Sequence, residues 1–143
     1  MLLLAVVLLA AAAAATDFRS CTNTSAPVDL RISGCSEGPC NFTSGEQVSG
    51  EVTFKVDHEI TMLAPRLREK VLDDSSDLPL AQSDGCQSLL QASCPIEDGE
   101  TVTYQLRFHM PAINIKSPVL ITFSMADQRS TSVTCFSIAG NIV

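Results

Sequence analysis

Six cysteines and two histidines are the residues of this chain best suited to chemistry, and their spacing narrows what that chemistry is. Zinc sites draw on close pairs such as C-x2-C with histidines at short range. Here the close pairs are Cys35-x4-Cys40 and Cys86-x7-Cys94, while His58 and His109 stand apart from both. No metal site is expected. In an oxidising compartment an even set of cysteines forms three disulfides, and sequence alone does not select their pairing. Proximity favours Cys35–Cys40 and Cys86–Cys94, which leaves Cys21 to meet Cys135. Nucleophilic catalysis has no candidates: all six thiols can pair off, so none is left free beside a histidine. No G-x-S-x-G occurs, and no carboxylate pair stands out from the scattered acidic residues. The expectation is a protein without enzymatic activity or cofactor.

The N-terminus supplies the oxidising compartment. Leu2 to Ala15 are all apolar and end in a run of alanines, a stretch shorter than the roughly 20 residues a membrane span needs. Such a stretch is expected to be a cleaved signal peptide over residues 1–15, which leaves one domain over residues 16–143. Two sequons, Asn23-Thr24-Ser25 and Asn41-Phe42-Thr43, fit secretion and put Asn23 and Asn41 at the surface as glycosylation acceptors. The net charge of −7 belongs entirely to the mature part. It argues against nucleic acid, whose binding requires a basic footprint. It also weakens any general attraction to anionic membranes.

Alternation dominates the elements that must position these groups. Val48, Val52, Phe54 and Val56 share one side of a run, and Gln47, Ser49, Glu51, Thr53 and Lys55 share the other. Val102, Tyr104, Leu106, Phe108 and Met110 repeat the pattern, as do Val119, Ile121, Phe123 and Met125. A short segment with Val28, Leu30 and Ile32 opens the series; Phe136, Ile138 and Ile142 close it. Period two predicts strands with one buried and one wet face. Ser33-Gly34, Ser44-Gly45, Asp84-Gly85 and Asp98-Gly99 supply turns between them, which indicates an antiparallel sandwich or barrel. Residues 62–74 fit a helix or a strand on periodicity alone. Their neighbours favour a strand with Leu63, Leu67 and Val71 inside and Arg66, Arg68 and Lys70 outside. That basic row suits a charged edge strand, or a contact with anionic lipid.

Cys35-x4-Cys40 followed by SGEQVSGEVTF, then DGC and CPI before TVTYQLRF, then MP and KSP before a further strand, and a late Cys135 followed by FSI form a specific order. In this order the chain resembles the ML lipid-recognition family, and most closely its Niemann–Pick type C2-like branch of small secreted lipid carriers. The resemblance implies an all-β, immunoglobulin-like sandwich of two antiparallel sheets with an apolar cavity between them. It implies the same three disulfides that proximity favours, with the Cys86–Cys94 staple beside the cavity mouth.

By position, the resemblance puts Ile32, Leu78, Ala112, Ile113 and Ile115 at that mouth. It puts Val52, Phe54, Tyr104, Phe108, Ile121, Phe123, Phe136 and Ile138 in the wall. Alternation alone favours a filled core over a cavity, and the resemblance reverses that preference. The ligand implied is one sterol, fatty acid or related apolar molecule. A membrane sterol transporter or a transient membrane contact is implied for delivery, by a monomer that is secreted or lies in the lysosomal lumen. The chain has no Trp, and Leu78 stands where relatives often carry an aromatic, which favours a flexible acyl or isoprenoid cargo. Alternatives are recognition of microbial glycolipid, for which Lys116 and the 66–70 row are the basic residues available, and a structural sandwich with a filled core.

Overall fold

The alternating runs become strands because each can bury one row of side chains and wet the other. The computed structural model describes residues 14–143; residues 1–13, most of the expected signal peptide, lie outside the described part. Its strands are β1 (Arg19–Ser20), β2 (Asp29–Ile32), β3 (Cys40–Phe42), β4 (Gln47–Lys55) and β5 (Ala64–Val71). They continue as β6 (Asp74–Leu78), β7 (Leu89–Leu90), β8 (Thr101–His109), β9 (Ser117–Ala126) and β10 (Ser132–Ile142). One sheet has the order β1-β10-β9-β5-β6, with β3 also on β10; the other has the order β2-β4-β8-β7. Neighbours pair antiparallel, apart from the parallel pair β3–β10. That parallel approach is tight. A Cβ on Gly140 would lie 2.5 Å from a Phe42 ring carbon and 2.7 Å from the Cys40 carbonyl oxygen.

Residues 62–74 resolve in favour of the strand, with Leu63 and Leu67 buried and Arg66, Arg68 and Lys70 exposed. The basic row does not lie on an edge, however. β5 runs between β9 and β6, and the edge belongs to β6, whose Asp74 to Asp77 are all exposed. Asp77 takes up two of the cations: its Oδ1 accepts from Arg66 Nε at 3.1 Å, and Arg68 Nε lies 3.5 Å away. Charge on the edge strand itself discourages pairing with another sheet.

All three disulfides form as proximity favoured: Cys21–Cys135, Cys35–Cys40 and Cys86–Cys94. The Cys86–Cys94 staple lies elsewhere than beside the Ala112–Ile115 loop. Gly85 N donates to Leu63 O at 2.8 Å and Cys86 Sγ lies 4.0 Å from Thr61 O, so the staple sits at the start of β5. That loop, in contrast, leads into β9 where β5 ends, since Val71 pairs with Val119. Val28 also departs from its row: it precedes β2 and is exposed, whereas Leu30 and Ile32 are buried. Asn23 and Asn41 are both exposed, which leaves their side chains accessible.

Candidate functional site

Strand register sorts the inner face of the larger sheet into rows. Leu78, Leu67, Phe123 and Phe136 form one row across β6, β5, β9 and β10. The next row towards the loop end holds Ser76, Glu69, Ile121 and Ile138. From the smaller sheet Val52, Phe54, Tyr104 and Phe108 face inward, all buried. The sheets meet through rings: Tyr104 and Phe123 lie 5.4 Å apart, and Phe123 and Phe136 the same distance. All eight wall residues expected from sequence therefore belong to one continuous apolar core.

The expected mouth residues divide. Leu78 is buried on β6, and the bridge between Leu80 and Phe108 carries the chain from there across to the other sheet. Ile113 is half-buried against the core, while Ala112 and Ile115 are exposed on the loop between β8 and β9. Ile32 is not with them. It lies on β2, at the opposite edge from β6, where the Cys35–Cys40 bridge ties β2 to β3. Leu78 and the 112–115 loop can share one opening; Ile32 lies apart from them, on the edge strand β2 of the other sheet.

Glu69 is the residue that sequence reasoning missed. Period two places it inside with Leu67 and Val71, and it is 6% exposed. Its Oε1 accepts from Ser76 Oγ at 3.5 Å, at the limit of a hydrogen bond, and its Oε2 has no partner. Burial pushes its carboxyl above the ordinary glutamate value, more than the Ser76 contact draws it down. The signal was present in the alternation itself, which puts residue 69 on the side of 67 and 71.

The largest of the clefts described, about 910 Å³, lies apart from the apolar interior. It is lined by polar groups including Asn23, Lys55, Asp57, His58 and Arg129. None of the clefts described is walled by Phe54, Phe108, Phe123 or Phe136. An apolar ligand requires apolar contact, which the rows between the sheets supply and this polar cleft does not.

His58 follows β4 and is clamped by two carboxylates. Its Nδ1 lies 2.6 Å from Asp57 Oδ1 and its Nε2 lies 2.6 Å from the buried Asp127 Oδ2. The bonds to Asp57 and then Asp127 raise the His58 value above 6.5, against a smaller opposing effect of burial. For Asp127 burial pushes upward, but His58 and the amides of Thr131 and Arg129 outweigh it and hold the carboxyl below 3.8. The histidine's contribution to stability is complete below 6.5 and is lost as pH rises through its raised folded value. The Asp127 contribution is complete above 3.8 and is lost as pH falls through its lowered value. The pair should thus stabilise the fold most between 3.8 and 6.5. In melting curves against pH, His58→Gln should flatten the fall in Tm above that window; an unchanged profile would exclude the clamp as its cause.

The ML domain matches residues 15–142. The chain belongs to the ML domain family. Among curated relatives, the mite group 2 allergen Lep d 2 of Lepidoglyphus destructor is 25% identical over 87% of this chain and 85% of its own. The NPC intracellular cholesterol transporter 2 homolog a of Drosophila melanogaster is 28% identical over 90% of this chain and 88% of its own. Among solved structures, a Niemann–Pick type C2 protein from the Japanese carpenter ant superposes with a TM-score of 0.74 at 18% identity. That match covers 89% of this chain and 99% of the ant protein. The ant structure shares the two-sheet sandwich of this chain.

Proposed function

We propose that this ML-domain protein is a non-enzymatic carrier that holds one apolar lipid between its two sheets. The observation that supports it best is the apolar interior that runs from Leu78 and Ile113 to Phe136 and Ile138. Burying a sixteen-carbon chain is worth on the order of 10 kcal/mol, at about 0.8 per methylene, so a carrier must offer its cargo comparable apolar contact. Rows of Val, Ile, Leu, Phe and Met across two facing sheets can do so, provided the rings that now touch separate to admit it.

The entrance in this reading lies between β6 and the 112–115 loop. Leu72 at the tip of the β5–β6 hairpin is 71% exposed, and Ile115 is 49% exposed. Both stand at the end of the sandwich where β9 begins, and a large aliphatic side chain in water suits an apolar surface met briefly during loading. Delivery to a membrane or a membrane sterol transporter, and action as a secreted or lumenal monomer, follow from the same reading. The two exposed sequons support the secretory route. Among the described residues no helix is long and apolar enough to cross a membrane.

Native mass spectrometry of glycosylated protein secreted from a eukaryotic host tests this. One lipid per protein, released on activation and identified, is the expected result. A protein that arrives empty and takes up neither sterol nor fatty-acid probes would leave a filled sandwich and no carrier.

A further inference from the structure

We propose that Glu69 recognises the polar end of the cargo, its Oε2 accepting a hydrogen bond from the hydroxyl of a neutral lipid such as a sterol or long-chain alcohol. The proposal rests on the carrier reading and adds the chemical class of ligand. Glu69 is the sole acid in the inner rows that carry Leu67, Ile121, Phe123, Phe136 and Ile138. It is 6% exposed, and Oε2 has no partner. A buried polar atom of this kind normally finds a hydrogen bond, so an orphan beside an apolar interior marks where a partner belongs.

The protein's own cations do not provide that partner. Arg68 and Lys70 flank Glu69 in sequence, but alternation turns both to the outer face, and both are exposed. Arg68 is drawn to Asp77 on that face. Across the strand pairs Glu69 meets Ile121 on one side and Ser76 on the other. Ser76 lies on the exposed edge strand and reaches only Oε1. The carboxyl thus sits one strand in from the edge, behind the proposed entrance. A lipid entering tail first towards Phe123 would leave its head near Glu69.

A hydroxyl fits that position in either protonation state. It donates to an ionised carboxylate, and it accepts from a protonated one while still offering its own hydrogen. Beside an ionised Glu69, a fatty-acid carboxylate would bring a second negative charge into the interior, and like charges so placed disfavour each other. An ammonium would have to be stripped of water to pair there.

The test compares cholesterol with 5-cholestene and 1-hexadecanol with hexadecane, pairs that differ only by the hydroxyl, by displacement of a fluorescent sterol or fatty-acid probe. In the wild type the hydroxylated member of the binding pair should win by about tenfold or more, as expected for a hydrogen bond to a carboxylate. Glu69→Gln should keep most of that ratio, and Glu69→Leu should bring it near unity with no loss of Tm. Equal binding within both wild-type pairs, or a preference unchanged in Glu69→Leu, overturns the assignment and leaves the carrier standing. Tighter binding of palmitate than of 1-hexadecanol also overturns it. Probes that bind but yield to none of the four ligands overturn the headgroup site alone; probes that do not bind overturn the carrier and the headgroup site together.

Discussion

Replacing Cys21 and Cys135 together by alanine should lower the free energy of unfolding by about 4–5 kcal/mol, the value expected when a bridge closing a loop of this length is removed. The bridge joins residues 114 apart, against separations of 5 and 8 for the other two. Chain-entropy arithmetic gives those short loops about 2–3 kcal/mol each. The structure adds a second reason for the difference. β1 holds to β10 by only two register pairs, Arg19 with Ser137 and Ser20 with Phe136, and both β1 residues are exposed. The segment nevertheless places Phe18 edge-on to Phe136, ring centres 6.0 Å apart. Without the bridge the segment keeps these contacts and those of buried Thr16, whose N donates to Leu30 O and whose Oγ1 donates to Cys35 O and accepts from Ile32 N. Urea unfolding followed by circular dichroism would measure the loss. A change no larger than that of Cys35→Ala with Cys40→Ala would mean that loop length is not what sets its value here.

Much of this architecture is legible in the sequence because long strands buried on one face write their period directly. β4, β8 and β9 follow their alternation closely, and the eight wall residues fall inside as expected. β6 was not legible. Its Asp-Ser-Ser-Asp stretch carries no apolar alternation, since an edge strand beyond the core has little to bury. β3 escaped for the opposite reason: three residues are too few to show a period, although Cys40 and Phe42 are buried. Without β6, the basic row of β5 looked like an edge, and Asp77 could not be seen as its partner. Without the sheet order, Ile32 and Leu78 could be assigned to one mouth although they occupy opposite edges. Glu69 was legible in register but hidden by type, because a glutamate between Arg68 and Lys70 looks like part of a solvated charged face.

Phe123→Ala should destabilise the empty protein by about 3–5 kcal/mol, the usual effect of deleting a buried aromatic ring. Phe123 is fully buried and links the sheets, with Tyr104 from β8 on one side and Phe136 from β10 on the other. The same ring pair stands where a lipid would have to enter, and this makes the variant informative about function as well as stability. In the wild type a ligand must first separate Phe123 from Tyr104, and that lost contact is subtracted from its affinity. In Phe123→Ala the gap already exists, so the ligand can fill it at less expense. A ligand that binds only the folded state raises stability by about 2.7 kcal/mol at a hundredfold excess over its Kd, and by more as Kd falls. The rise in Tm on adding a saturating fixed concentration of lipid should therefore be larger in the variant than in the wild type. A smaller or equal rise would place the ligand away from Phe123. Loss of stability with no ligand response in either protein would make the ring ordinary core packing, and the two sheets would have no slot between them.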